Sequence, residues 1–127
     1  MPIVDVEIVA PAPEQLTGEV TSALADAIGQ ALGTGPADTW VRLRTLAAES
    51  YAENGVARTE TPRPVFVTVL KGRRPTGDAL ASEVDQITGA VARILDRRAD
   101  RVHVLYLADA AGRIAFGGVL VPHSGQH

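Results

Sequence analysis

Two similar stretches decide the fold, PIVDVEIV at residues 2–9 and PVFVTVL at residues 64–70. In the first, apolar β-branched residues alternate with Asp5 and Glu7, and this period of two is typical of a half-buried β-strand. The stretches begin 62 positions apart. The same offset aligns identical residues, namely Pro2 with Pro64, Pro13 with Pro75, Ala37 with Ala99, Asp38 with Asp100 and Leu43 with Leu105. This internal similarity indicates a duplicated unit.

Each half of the chain has the pattern strand, helix, strand. The predicted strands are residues 3–9, 40–46, 65–70 and 102–107. Between the two strands of each half, apolar residues recur at helical spacing. Because proline suits the first turn of a helix, we expect Pro13 and Pro75 to open the two helices. Gly33 is expected to end the first one.

A strand–helix–strand unit of this length pairs its strands in parallel through a right-handed crossover. Two such units predict one four-stranded mixed sheet with both helices on one face. The fold class is therefore α/β, and more closely α+β. No helix remains to cover the other face. In a chain whose residues are 46% hydrophobic, another subunit is the expected cover.

The whole chain, residues 1–127, is predicted to form a single domain. Its parts are a first unit at residues 2–46, a connector at 47–64, a second unit with a terminal strand at 65–122, and a tail at 123–127. Asn54 and Gly55 predict a turn, or a small hairpin, within the connector. The connector is long for a structureless loop, so we expect it to carry function. Residues 108–122 predict a turn followed by a short terminal strand.

Composition excludes several function classes. Twelve Lys and Arg residues against fifteen Asp and Glu give a net charge of −3, which argues against nucleic-acid binding. The absence of cysteine excludes disulfides, thiolate zinc sites and cysteine nucleophiles. The three histidines lack metal-ligand spacing, so no metal is expected. No apolar run approaches the roughly 20 residues of a membrane span, and no signal peptide is evident. We therefore expect a cytoplasmic protein without membrane contact.

Pro2 is the first candidate for chemistry. Removal of Met1 by methionine aminopeptidase would leave a secondary amine at the start of a strand. An ordinary α-amino group has a pKa of about 7.7–8.0, and an apolar pocket or nearby arginines lower it. A neutral amine near pH 7 can act as a general base that moves a proton. The alternative is that this proline has no chemical role.

Four arginines are the second candidates. Arg42 and Arg44 occupy the polar face of the second predicted strand, and Arg73 and Arg74 follow the third. A guanidinium group binds a carboxylate through two hydrogen bonds and stabilises developing enolate charge. The alternative is a solvated strand face and a basic loop.

Three further residues are weaker candidates. Asp38, just before the second strand, is either catalytic or a turn residue. Tyr51 and Phe116 either wall an apolar pocket or belong to the core. Trp40 is interpreted as a packing residue, and Arg97 with its neighbour as a solvated helix end.

The MPIV start, the two strand–helix–strand halves and the arginines near a terminal amine resemble the tautomerase superfamily. That group includes 4-oxalocrotonate tautomerase, macrophage migration inhibitory factor, cis-3-chloroacrylic acid dehalogenase and malonate semialdehyde decarboxylase. The resemblance covers roughly residues 2–122. Long members of the superfamily are fused duplicates that form trimers, so the resemblance implies a homotrimer with no cofactor.

The resemblance also implies roles for individual residues. Pro2 matches the amino-terminal proline, which is a base in tautomerases and an acid in the dehalogenases and the decarboxylase. Arg42 in VRLR resembles the strand arginine of short tautomerases. Arg73 in LKGR resembles the arginine of their LEGR segment, which binds the substrate carboxylate. Arg74 aligns with one of two decarboxylase arginines, and Asp38 with that enzyme's catalytic aspartate.

The apolar wall near the proline is implied in the same way. Tyr51 in YAENG and Phe116 in IAFGG resemble the two copies of the family's FGIGG-type turn. The sequence also departs from the family. Residues 10–12 (APA) replace the first-half LEGR arginine, and no clear counterpart of the dehalogenases' water-activating acid is present. The second decarboxylase arginine falls on Gly72 or Arg73, and Leu105 replaces an asparagine of the cytokine-like members.

The implied function is a tautomerase, an isomerase that interconverts enol and keto forms of a small 2-keto or 2-hydroxy-dienoate acid. Pro2 would be the general base, and the arginines would hold the substrate carboxylate. A malonate semialdehyde-type decarboxylase, or a dehalogenase or hydratase, with Pro2 as the acid, stays open. So does a trimeric binding protein that keeps the fold without the chemistry.

Overall fold

The secondary structure follows the duplicated order that the sequence predicts. The computed structural model describes residues 1–123, so the predicted tail beyond His123 lies outside the described residues. The main-sheet strands are β1 (Ile3–Val9), β2 (Trp40–Leu46), β3 (Val65–Leu70) and β4 (Val102–Tyr106). The helices are α1 (Gly18–Leu32) and α2 (Gly77–Leu95), and a short hairpin contains β5 (Ala115–Phe116) and β6 (Val119–Leu120).

The four long strands form one mixed sheet in the order β2-β1-β3-β4. β1 is parallel to β2, β3 is parallel to β4, and the two central strands run antiparallel, with Val6 opposite Val67. An approximate twofold axis near this central pair therefore relates the two units. The predicted mixed sheet is confirmed.

One face of the sheet packs against both helices. Alternate residues of β1 and β3 are at most 1% exposed and join buried residues of the helices. These core residues include Val4, Val6, Ile8, Val65, Val67, Val69, Leu24, Ile28, Ile87, Val91 and Leu95. Val41 and Leu43 of β2 pack on the edge of this core. Both helices thus cover the same face, as predicted.

The face without helices differs between its two halves. On the β1–β2 half it presents charged residues, because Asp5 lies opposite Arg42 and Glu7 lies opposite Arg44. The β3–β4 half is more apolar, and Leu105 there is 61% exposed. No helix among residues 1–123 is long and apolar enough to cross a membrane.

The helices begin later than their prolines suggested. Pro13 opens a short 3₁₀ turn, Pro13–Gln15, and α1 begins at Gly18. The Thr17 hydroxyl accepts a hydrogen bond from the Val20 N–H at 3.2 Å and so satisfies a free donor of the first turn. Pro75 likewise lies two residues before α2. The prediction that these prolines occupy the first helical turns was wrong.

Two predicted segments also differ from the structure. The last segment forms a hairpin rather than one terminal strand, because Gly117 and Gly118 have φ angles of +58° and +88° and make a tight two-residue turn. In the connector, Val56 N donates to Glu53 O at 3.1 Å. The predicted turn is therefore present, but no strands flank it, so the hairpin alternative is wrong.

A core substitution tests the packing of the helices on the sheet. Ile87 is 0% exposed, so Ile87→Ala should lower the free energy of unfolding by about 2–5 kcal/mol. The control Leu16→Ala removes a side chain that is 54% exposed and should change it by about 0.5 kcal/mol or less. Urea unfolding at one protein concentration measures both, and equal effects would contradict this description of the core.

Candidate functional site

A cleft of about 970 Å³ lies at the end of the sheet where β1 begins and β3 ends. This volume is at the upper end of the roughly 300–1,000 Å³ of small-molecule sites. Its apolar walls include Leu32, Ile114, Phe116, Val119 and Leu120. Among residues 1–123, its charged lining residues are Lys71, Arg73, Arg74 and Glu83. Three cations against one anion favour an anionic ligand.

Pro2 lies in this cleft, directly before β1, and is buried. Its carbonyl accepts a hydrogen bond from Trp40 N at 3.0 Å, which extends the pairing of β1 with β2 by one residue. Met1 also lines the cleft but is 56% exposed. The nitrogen that joins these two residues therefore lies at the cleft, and Met1 is accessible for removal.

The loop after β3 brings two arginines to the same cleft. This loop is held by the loop that follows β4. Ala110 N donates to Lys71 O at 3.0 Å, and Asp109 Oδ1 accepts from Arg74 N at 2.9 Å. The two loops thus fix the backbone that carries Arg73 and Arg74, although both arginine side chains are exposed.

A hydrogen-bonded group that sequence reasoning missed lies beside these arginines. Lys71 Nζ donates to Glu83 Oε1 at 3.0 Å, and the Tyr106 hydroxyl donates to Glu83 Oε2 at 2.5 Å. The Lys71 and Glu83 side chains are 18% and 11% exposed. Burial, and then the hydrogen bond to Glu83, raise the pKa of Tyr106 well above its usual range. Two sequence features could have indicated this group: Glu83 lies on the apolar side of α2, and Tyr106 lies on the face of β4 that packs against the helices.

The β5–β6 hairpin brings Phe116 to the cleft. The rings of Trp40 and Phe116 meet edge to face, with centroids 5.2 Å apart. The Trp40 indole donates to Ala37 O at 2.9 Å. The packing role predicted for Trp40 is therefore confirmed, and its partner is the hairpin.

Arg42 and Arg44 do not line the cleft within one chain. Arg42 donates to both carboxylate oxygens of Asp5, at 2.6 and 3.0 Å, and Arg44 lies 3.7 Å from the same carboxylate. The hydrogen bond and the charge of Asp5 raise the pKa of Arg42. Both arginines project from the sheet face that carries no helix, whereas Pro2 lies on the helical side.

Asp38 and Tyr51 also lie elsewhere. Asp38 is exposed in the loop between α1 and β2, where its N–H donates to Gly35 O at 3.2 Å. Tyr51 donates to Glu53 at 2.6 Å and lines a second pocket. Of the eight predicted site residues, one chain thus brings Pro2, Arg73, Arg74 and Phe116 together.

Within residues 1–123, no group of three or more metal-ligating side chains lies close together. No protein-family model matches the sequence, and no curated protein sequence matches it.

Solved structures do match the chain over nearly its whole length. A macrophage migration inhibitory factor from Oncomelania hupensis has a TM-score of 0.75 at 21% identity, over 98% of this chain and 85% of its own. A protein described as a fused 4-OT in a symmetric trimer has 0.73 at 20%, over 97% of each chain. The FG41 malonate semialdehyde decarboxylase has 0.66 at 17%, over 91% of this chain and 88% of its own.

These matches confirm the fold that the resemblance implied. The chain has the same fold as the macrophage migration inhibitory factor, the fused 4-OT and the malonate semialdehyde decarboxylase.

The raised pKa of Tyr106 predicts a pH effect on stability. An unfolded tyrosine loses its proton near pH 10, whereas the folded protein holds the Tyr106 proton more tightly. This contribution to stability is complete below about pH 10 and is lost as the pH rises further. Between pH 9 and pH 11, the free energy of unfolding should therefore fall more steeply in the wild type than in Tyr106→Phe.

The matched control is Tyr51→Phe. The pKa of Tyr51 is also raised, mainly by its hydrogen bond to Glu53, but this tyrosine lies in a more solvated position. Removing the Tyr51 hydroxyl should therefore change the pH dependence of the free energy of unfolding less than removing the Tyr106 hydroxyl. Equal slopes for the wild type and Tyr106→Phe, measured by urea unfolding at each pH, would contradict the Tyr106–Glu83 contact.

Proposed function

We propose that the protein is a tautomerase that interconverts the enol and keto forms of a small 2-keto or 2-hydroxy-dienoate acid, with Pro2 as the general base. One observation carries this proposal: buried Pro2 shares a cleft with Arg73 and Arg74. A base and two carboxylate-binding groups in one cleft are the minimum that proton transfer on a keto acid requires.

The surroundings of Pro2 favour the neutral amine. Once Met1 is removed, the new amine lies among apolar walls that include Leu32 and Phe116, and desolvation lowers the pKa of an ammonium group. The positive charges of Arg73 and Arg74 act in the same direction. An amine that is unprotonated near pH 7 can accept a proton.

The proposed reaction has two proton transfers. The Pro2 nitrogen takes the proton from the enol oxygen, and the enolate charge delocalises onto carbon. The same nitrogen then returns the proton to carbon, which leaves the ketone and regenerates the neutral amine. Arg73 and Arg74 hold the substrate carboxylate and stabilise the enolate.

The cleft fits this reaction better than the alternatives. Both oxygens of Glu83, the carboxylate among the described lining residues, are taken by Lys71 and Tyr106, so Glu83 is poorly placed to activate water as a hydratase requires. A decarboxylase that uses Asp38 would need it beside Pro2. Asp38 lies outside this cleft in one chain, although Arg74 is present.

We further propose a homotrimer as the working assembly. The helix-free sheet face and the β5–β6 hairpin expose large apolar side chains, which favours burial against other subunits. Leu105 is 61%, Leu107 44%, Val119 72% and Leu120 61% exposed. In such an assembly, Arg42, Arg44, Asp38 and Tyr51 would contribute to substrate binding or catalysis only from a neighbouring subunit.

The free amine can be tested without changing any side chain of the cleft. Glutamate inserted between Met1 and Pro2 prevents removal of Met1 and leaves the Pro2 nitrogen in a peptide bond. Turnover of 2-hydroxymuconate and phenylenolpyruvate should fall by about 10²-fold or more. Intact mass first establishes that the wild-type chain lacks Met1.

The control is Pro64→Ala, since Pro64 aligns with Pro2 and is also buried. It should retain wild-type turnover despite some loss of stability. Undiminished turnover by the insertion variant would remove Pro2 from the mechanism, and no turnover of either acid by the processed wild type would favour the binding-protein alternative.

A single charge placed on the apolar β3–β4 half of the helix-free sheet face tests the assembly. Leu105→Glu would bury a carboxylate at the proposed interface, which costs several kcal/mol, so sedimentation should show trimers dissociating to monomers. Glu7→Gln, on the charged half, should leave the trimer intact. A wild-type protein that sediments as a monomer would contradict the proposal.

A further inference from the structure

A second pocket lies at the opposite end of the sheet and has a volume of about 170 Å³. It is formed by the end of β1, the residues just before β3 and the loop after β2. The Pro2 cleft is formed by the end of β3, the residues just before β1 and the loop after β4. The approximate twofold axis of the sheet therefore relates the two sites, and the pocket is the duplicated counterpart of the Pro2 cleft.

The two sites differ in the chemistry that proline provides. Pro64 aligns with Pro2 and is buried like it, but its nitrogen is in a peptide bond with Arg63. The lone pair of a peptide nitrogen is delocalised into the carbonyl and is not basic. This second pocket therefore has no general base at the position where the Pro2 cleft would have one.

The pocket has nevertheless kept a positive lining. Arg58 and Arg63 line it, and within the described part of the chain neither forms an ion pair. Acidic residues are also near this lining: Glu49 follows Ala48 and Glu60 follows Thr59 in the chain, and Glu53 accepts a hydrogen bond from the Tyr51 hydroxyl at 2.6 Å.

A third guanidinium closes this end of the sheet. Arg97 donates to Val9 O at 3.2 Å, to Ala10 O at 3.3 Å and to Arg63 O, and Val9 and Ala10 line the pocket. Burial, and then the charge of Arg63, lower the pKa of Arg97. The interpretation of Arg97 as a solvated helix end was therefore wrong. Because Arg63 and Arg97 repel each other, an anion held between Arg58 and Arg63 would relieve that repulsion.

We propose that this second pocket binds a small carboxylate without converting it. At about 170 Å³, the pocket is smaller than the roughly 300–1,000 Å³ of drug-sized sites and therefore suits only a small molecule. The guanidinium groups of Arg58 and Arg63 suit a planar carboxylate. Val9, Ala48 and Pro62 supply apolar wall for the rest of the molecule, a contact that inorganic phosphate has no apolar group to use.

Pyruvate, with six non-hydrogen atoms, is a suitable probe. Its choice as a 2-keto acid rests on the proposed function, whereas the anion site itself does not. In ¹H–¹⁵N spectra of the full chain, pyruvate added at constant ionic strength should shift the amides of Thr59 and Thr61 in a saturable way. Binding in the Pro2 cleft is followed separately at Ala110 and Ala111.

Two matched variants separate the sites. Arg58→Gln with Arg63→Gln should weaken the saturation at Thr59 and Thr61 by about tenfold or more and leave Ala110 unchanged. Arg73→Gln should weaken the saturation at Ala110 and Ala111 and leave that at Thr59 and Thr61 unchanged. All three arginines are exposed, so the spectra should stay dispersed, and each pocket arginine changed alone provides a milder variant if the double variant does not fold.

Several results would overturn the proposal. These are the absence of saturation at Thr59 and Thr61, equal shifts with sodium chloride alone, unchanged binding by the double variant, and tighter binding of inorganic phosphate than of pyruvate at the same amides. The outcome is independent of catalysis. If the protein shows no turnover but pyruvate still saturates the shift at Thr59, the proposed function fails and this binding site stands. If the protein shows turnover but no saturation at Thr59, this binding site fails and the proposed function stands.

Discussion

The antiparallel pairing of β1 with β3 is the contact on which the rest of the structure depends. It joins two parallel strand pairs into one sheet, and it places Val6 opposite Val67 at the centre. Because the two central strands run in opposite directions, each end of the sheet combines the start of one strand with the end of the other. Both the Pro2 cleft and the smaller pocket form at such an end. Burial of one strand face beneath α1 and α2 holds the register, since a slip of one residue would turn the valines outward.

The two ends have diverged although the backbone is duplicated. One has a proline that becomes a free amine when Met1 is removed, two arginines on the loop after β3, and a half-buried Lys71–Glu83–Tyr106 group. The other has an amide at Pro64 and takes its positive charge from Arg58 and Arg63. Duplication of the backbone thus places a pocket at each end of the sheet, whereas the residues that line each copy decide what chemistry it could support.

Sequence reasoning predicted the sheet well because strand alternation is a local signal. Polar and apolar residues at successive positions report directly which face is buried, and this was sufficient for β1 and β3. It was less reliable at helix starts, because proline is tolerated just before a helix as well as inside its first turn. It also missed the hairpin, whose turn requires positive φ angles at Gly117 and Gly118. For the cleft, it named Pro2, Arg73, Arg74 and Phe116 as candidates from residue types and from a family resemblance, but it did not name Glu83 or Tyr106.

The sequence by itself determined the duplicated order of strands and helices, the buried faces and the proline at the start of β1, because these depend on the spacing of residue types along the chain. Only the tertiary structure decided which polar groups meet. Arg42 is held by Asp5 across two strands, Tyr106 by Glu83 between sheet and helix, and Arg97 by the carbonyls at the end of β1. Each of these contacts joins residues more than 20 positions apart, and their geometry is set by the packing of whole elements, which no local pattern encodes.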